Sequence, residues 1–283
     1  MSGQAFRWRN AGDTWSCAVT MSAGQARRPY LLNVSAKADL VHIDTYPQSD
    51  LAAGAYFRTD IDLGALNLAL RSQDPAIGAA IDAFPGLRVL RQDPVECLFS
   101  FLCTSAAPLH RIRTGIDRFC NAYGETLSAD GQTHRLFPTV DALADADVDR
   151  LYGMGLGFRA RYIKAAAGEV RERGGEDWLL ALREASYADA KRELVALTGV
   201  GEKVADCVLL FSLDKDDAVP VDTHIRQVAA RFPEVGDPKA PYARIAGAIR
   251  DRYGPYAGWA QQYLFFGNLY ERGAWAAYAR QYT

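Results

Sequence analysis

Residues 197–203, Leu-Thr-Gly-Val-Gly-Glu-Lys, join two stretches with helical amphipathicity. The first places Ala190, Leu194 and Leu197 on one face, and the second carries Val204, Cys207, Val208 and Phe211. Gly199 can take the left-handed conformation that ends the first helix. Gly201 is expected to let the backbone approach another backbone closely. The second helix then begins with uncapped N–H groups pointing outward, a terminus that suits an anion such as phosphate. An ordinary αα-hairpin in which glycine only turns the chain has the same spacing. A P-loop is excluded, because no strand precedes the glycines and the G-x-x-x-x-G-K-[ST] pattern is absent.

Lys203 falls in the first turn of the second helix, the wrong end of the dipole for a cation. Its neighbours Val204, Ala205 and Cys207 are mostly apolar. Both surroundings disfavour the charged ammonium, and a neutral amine is what Schiff-base catalysis needs. The alternative is a solvated surface lysine. Pro220 biases Val219 to extended geometry, and Asp222, nineteen positions beyond Lys203, reads as the N-cap of a helix running to about Phe232. Capping accounts for an aspartate there by itself. It also fixes a negative charge that could face developing positive charge.

The remaining pattern divides the chain. Short segments rich in β-formers recur early: Phe6–Trp8, Trp15–Thr20, Tyr30–Val34, Leu40–Ile43 and Ala55–Arg58. From about residue 60 helix signals dominate. Asp93-Pro94-Val95-Glu96 places Asp at N-cap, Pro at N1 and Glu at N3. Pro108 opens a helix that Gly124 closes. Another runs from about Phe158 to Arg173, Ser186 caps the next, and two more cover about 241–253 and 256–272. These elements predict an α+β chain: a small N-terminal antiparallel sheet domain with short helices over 1–80, packed on an all-α domain over 81–283, whose central hairpin spans 187–232.

Composition narrows the class. The 283 residues carry 32 Lys+Arg against 34 Asp+Glu, a net charge of −2, so a cationic coat or basic tail is excluded. The five cysteines form no C-x-x-C pair, which argues against a disulfide framework or a cysteine zinc site. The start lacks the apolar stretch of a signal peptide. The longest apolar run, Cys97 to Leu109, is too short for a bilayer and reads as a buried core helix.

The stretch Leu197 to Phe232, with Gly-Val-Gly, Lys203 and Pro-Val-Asp222, resembles the helix-hairpin-helix (HhH-GPD) DNA glycosylase superfamily. Within it the chain looks most like 8-oxoguanine DNA glycosylase/lyases of the eukaryotic type. Ordered support comes from residues 3–8 (Gly-Gln-Ala-Phe-Arg-Trp), 90–101, 155–162 (Gly-Leu-Gly-Phe-Arg-Ala-Arg-Tyr) and 254–261 (Gly-Pro-Tyr-Ala-Gly-Trp-Ala-Gln). The resemblance implies a base-excision-repair enzyme. It flips 8-oxoguanine out of duplex DNA, displaces the base with the amine of Lys203 assisted by Asp222, and nicks the abasic strand by β-elimination.

By the same likeness, Gly3, Cys207, Gln261 and Phe265 form the base pocket. Gly3 would accept the N7–H that only the oxidised purine carries, Gln261 would read the Watson–Crick edge, and Phe265 and Cys207 would sandwich the ring. Arg111, Phe158, Arg159, Gly199, Val200, Gly201 and His224 would contact DNA. No iron–sulfur cluster is implied, since no cysteine follows Cys207, and the family hairpin can hold a monovalent cation. The expected partner is double-stranded DNA containing 8-oxoguanine, bound by a monomer away from any membrane. The compartment would be the cytoplasm or nucleoid of a bacterium or a eukaryotic nucleus, and the protein would not be secreted.

One segment departs from the family. Ala106-Ala107-Pro108 stands where relatives carry three asparagines, the first of which reads the opposite cytosine. Phe158 replaces the usual wedge tyrosine. A relaxed opposite-base preference is therefore expected. A local basic face made by Arg111, Arg113, Arg118, Arg159, Arg161 and Lys164 should balance acidic segments at Asp141–Asp149 and Asp214–Asp217. The rival readings are a glycosylase of the same superfamily for another damaged base, and a hairpin protein that binds DNA without chemistry.

Overall fold

The computed structural model describes residues 3–23, 26–37, 40–104 and 107–281. Strands β1 (Arg9–Ala11), β2 (Thr14–Ala23), β3 (Ala26–Lys37) and β4 (Leu40–Tyr46) form an antiparallel sheet in sequence order. Cys17 pairs with Leu32, and Leu32 with Thr45. Strand alternation gathers Cys17, Val19, Met21, Tyr30 and Leu32 into a small core. Helix α1 (Asp50–Phe57) closes that core with Ala52 and Tyr56. The expected strand at Ala55–Arg58 is thus the end of a helix. The Ser49 side chain caps its start by accepting from the Ala52 N–H, and four residues were too few to separate the two periods. Phe6–Trp8 precedes the first strand instead of forming one.

Two short helices follow, α2 (Leu63–Gln73) and α3 (Gly78–Ala83). The larger core begins at α4 (Pro94–Leu102), every residue of which is buried. Asp93 caps it as expected, accepting from the N–H groups of Val95 and Glu96. Glu96 does not return the bond. It pairs with Arg7 at 2.7 Å, inside the seam between sheet and helices. The apolar run from Cys97 is helical only to Leu102, then turns at Cys103–Thr104. Helix α5 (Leu109–Tyr123) stops at Gly124, whose backbone turns extended, and only glycine fits there: a Cβ would lie 2.0 Å from the Leu136 carbonyl oxygen.

A hairpin of β5 (Thr126–Ala129) and β6 (Gln132–Arg135) interrupts the helices. Its Asp130-Gly131 turn has φ of 52° and 69°, the left-handed pair that the strand twist requires. Helices α6 (Val140–Ala144), α7 (Val148–Leu151), α8 (Arg159–Glu172), α9 (Gly175–Ala181), α10 (Tyr187–Val195), α11 (Glu202–Ser212), α12 (Thr223–Ala229), α13 (Tyr242–Tyr253), α14 (Ala257–Glu271) and α15 (Trp275–Ala279) complete the chain. Helices α4 and α11 pack through stacked Phe101 and Phe211, ring centroids 5.6 Å apart. Among the described residues no helix is long and apolar enough to cross a membrane.

The acidic run at 214–217 is not a solvated counterweight. Asp214 binds Arg91 at 2.8 Å, and Asp216 binds the buried Arg58 through both terminal guanidinium nitrogens. These pairs latch the loop after α11 onto the segments that follow α1 and α3.

Candidate active site

Helix α11 has Gly201 as its N-cap residue, whose φ of −91° and ψ of 176° are extended and which supplies no side-chain cap. Lys203 is its second residue. The side chain lies over the Phe101 ring, Nζ 4.8 Å from the centroid, and donates to Thr104 Oγ1 at 3.4 Å. Asp222 is the N-cap of α12, accepting from the Ile225 N–H at 2.8 Å. The helix ends at Ala229, three residues short of expectation. Pro220 and Val221 before the cap are buried, and the Val221 N–H donates to the Tyr242 hydroxyl at 3.2 Å. Capping therefore orients the Asp222 carboxylate while a buried loop holds its backbone.

Lys203 and Asp222 line one cavity of about 210 Å³ together with Gly3, Cys207, Gln261 and Phe265. All six residues expected at a reactive pocket, drawn from sequence positions 3 to 265, thus converge. Burial pushes the Cys207 thiol up to about 11, against the pull of the Lys203 charge and hydrogen bond. The thiol stays neutral and serves as an apolar wall. Gln261, 3% exposed on α14, donates to the Pro220 carbonyl at 3.0 Å. Phe265 meets His224 edge-on at 5.1 Å, and His224 Nδ1 lies 3.5 Å from Asn268 Nδ2. Phe6, Phe101, Thr104, Gln262 and Tyr278 also line the cavity, and the sequence reading missed their part in it. Phe6 and Phe101 lay inside segments that carry the resemblance, and Gln262 stood as a second amide beside Gln261; Thr104 and Tyr278 carried no signal.

Residues 1–98 match the family model described as 8-oxoguanine DNA glycosylase, N-terminal domain. Residues 99–245 match the HhH-GPD superfamily base excision DNA repair protein model. The N-glycosylase/DNA lyase OGG1 of Arabidopsis thaliana is 36% identical over 283 residues, covering 95% of this chain and 75% of that protein. This chain belongs to the 8-oxoguanine DNA glycosylase family. An N-glycosylase/DNA lyase of Saccharomyces cerevisiae is 30% identical, over 93% of this chain and 80% of its own. The Clostridium acetobutylicum 8-oxoguanine glycosylase/lyase, solved with dsDNA containing cytosine opposite 8-oxoG, superposes with a TM-score of 0.83 at 28% identity. That match covers 96% of this chain and 90% of the Clostridium chain.

The family's hairpin here differs in detail from the sequence expectation. Gly199 has φ +83°, and a Cβ on it would sit 2.6 Å from Cγ of Tyr162, so the close approach is at Gly199. Gly201 has nothing within 4 Å of a Cβ position, so no part of this chain crowds it. Val200 is 5% exposed and its N–H already donates to Leu197 O at 3.1 Å, so its amide is engaged within the turn. Tyr162 also meets Phe158 edge-on at 5.7 Å. Phe158 is 49% exposed, which gives the hairpin a protruding aromatic neighbour.

The expected basic face is narrower than the sequence suggested. Arg159 is buried, donating to Leu156 O at 3.1 Å with its guanidinium 4.6 Å from the Phe158 ring. Arg113 donates to Trp8 O at 3.0 Å and Lys164 to Ala146 O at 2.8 Å. Arg111, Arg118 and Arg161 are exposed. Ala106, the position that replaces the family asparagine, lies outside the described residues.

Proposed function

We propose that the protein flips 8-oxoguanine out of duplex DNA, excises it with Lys203 as nucleophile and nicks the resulting abasic strand. The convergence of Lys203, Asp222, Gly3, Cys207, Gln261 and Phe265 on one cavity carries this reading. The Nζ lone pair of Lys203 forms the bond to C1′ as the C1′–N9 bond breaks, and the departing base keeps that electron pair and takes up a proton. The Asp222 carboxylate, held by its capping bond, offsets the positive charge that develops on the sugar. Ring opening leaves a Schiff base on Lys203. Loss of the C2′ proton then expels the 3′ phosphate by β-elimination.

Gly3 would accept the N7–H that distinguishes the lesion from guanine, a discrimination that works because the unoxidised base leaves a buried acceptor unpaired. Gly199, Gly201 and the open start of α11 would receive a backbone phosphate, with His224 beside them. Phe158 would fill the stack beside the extruded base. With Ala106 in place of an asparagine, the preference for an opposite cytosine is relaxed.

Borohydride trapping on a duplex containing 8-oxoguanine tests the chemistry. The wild type is expected to form a covalent adduct, and Lys203→Gln to lose both the adduct and excision. Excision that survives this change would refute the nucleophile. Running the substrates with C, A, G and T opposite the lesion reads the selectivity, and a strong cytosine preference would sink the relaxed-pairing reading.

A further inference from the structure

Three buried glutamines in series tie the cavity to the backbone on either side of it. The Leu90 N–H donates to Gln4 Oε1 at 2.8 Å. Gln4 Nε2 donates to the Arg88 carbonyl at 2.9 Å and to Gln262 Oε1 at 3.2 Å. Gln262 Nε2 donates to Gln261 Oε1 at 2.7 Å, and Gln261 Nε2 donates to the Pro220 carbonyl at 3.0 Å. None of the three is more than 5% exposed.

A side-chain amide has nearly the same shape either way round and can turn over when its partners permit. Here they do not. Leu90 N–H can only donate and Pro220 C=O can only accept, so the two ends set the sense of every amide between them. Reversing Gln261 alone would face its Nε2 with Gln262 Nε2, and its Oε1 with the Pro220 oxygen. Two buried hydrogen bonds would be replaced by two repulsive contacts.

The relay uses one N–H and one lone pair of Gln261 and leaves one of each. Gln261 and Gln262 both line the cavity. Purines present these groups in opposite orders. A guanine-type edge offers the O6 acceptor and the N1–H donor, whereas an adenine-type edge offers the N6–H donor and the N1 acceptor. An amide of fixed sense pairs with one order and meets the other donor to donor. We infer that Gln262 and Gln4 are specificity-positioning residues: by locking the sense of the Gln261 amide, they make the pocket accept guanine-type edges and reject adenine-type ones. This rests on Gln261 being the base reader of the proposed function.

8-Oxoadenine carries the same C8 oxygen and N7–H as 8-oxoguanine and differs at the Watson–Crick edge. The ratio of single-turnover excision rates for the two lesions in otherwise identical duplexes isolates the lock. Gln262→Met keeps chain length and removes the amide, and is expected to lower the 8-oxoguanine preference by about ten-fold. A merely structural defect would slow both lesions in proportion, and that outcome, or a ratio within about two-fold of wild type, overturns the proposal. Gln4→Met, which does not line the cavity, moves the ratio the same way by less and decides the matter if Gln262→Met does not fold. Trapping on a preformed abasic site, which has no base to read, keeps the two inferences apart. A wild-type protein that traps there yet excises no 8-oxoguanine overturns the functional reading and not the relay.

Discussion

Asp222 has two duties that one substitution separates. As N-cap it supplies an acceptor to Ile225 N–H, and asparagine caps a helix about as well as aspartate. It also lines the cavity beside Lys203, where the proposed mechanism needs a negative charge that asparagine does not carry. Asp222→Asn is therefore expected to leave folding and DNA affinity near wild type while slowing base removal at least about ten-fold, roughly 1.4 kcal/mol of transition-state stabilisation. Kd by titration and single-turnover rates on the same duplex check it. A Kd that weakens as much as the rate would make Asp222 chiefly a structural cap. Residues of this kind were legible in the chain. Asp93, Ser186 and Asp222 all cap where expected, because a cap contacts backbone two or three residues away.

At the scale of elements, the hairpin between α10 and α11 has two glycines with different reasons to be glycine. Gly199 sits at positive φ with the Tyr162 ring where a side chain would go. Gly199→Ala should cost about 2 kcal/mol or more from the left-handed strain and the clash together. Gly201 has ordinary φ and open space. Gly201→Ala should cost about 1 kcal/mol or less, yet weaken DNA binding if a phosphate approaches there. Thermal unfolding and Kd measured on both variants separate the two roles. Equal losses of stability would show that both glycines serve only the turn. Spacing alone did not reveal the Tyr162 ring against Gly199, since a turn's sequence does not say which side meets another element. The missed β5–β6 hairpin is a different failure. Its Asp-Gly signal was present, but its strands are only four residues each and lie within a helical region.

For the whole molecule, a net charge of −2 leaves DNA binding to a local footprint. Arg111, Arg118 and Arg161 are exposed, Arg118 with one nitrogen on the Met154 carbonyl at 3.4 Å, while the less exposed Arg113, Arg159 and Lys164 are held by backbone carbonyls. Three phosphate contacts predict a slope of log K against log salt of about −3. Helix and hairpin amides add affinity without formal charge and do not steepen it. A slope near −9, as for ten neutralised phosphates, would mean that the tethered cations swing out to the duplex. Titration at several salt concentrations measures it.

The amino-acid sequence by itself determined the division into sheet and helices, the caps at Asp93, Ser186 and Asp222, the glycine hairpin and the six residues that line the cavity. The first three depend on neighbours within a turn or two, and the pocket residues are read from motif likeness. Only the tertiary structure decided that Ala55–Arg58 closes a helix, that Glu96 pairs with Arg7 instead of its own helix N-terminus, and that the acidic run at 214–217 latches onto arginines more than a hundred residues away. The same holds for the glutamine relay, whose members stand at positions 4, 261 and 262. A cation or an amide has many acceptable partners along a chain. Packing, by removing water from all but a few of them, selects which partner it keeps.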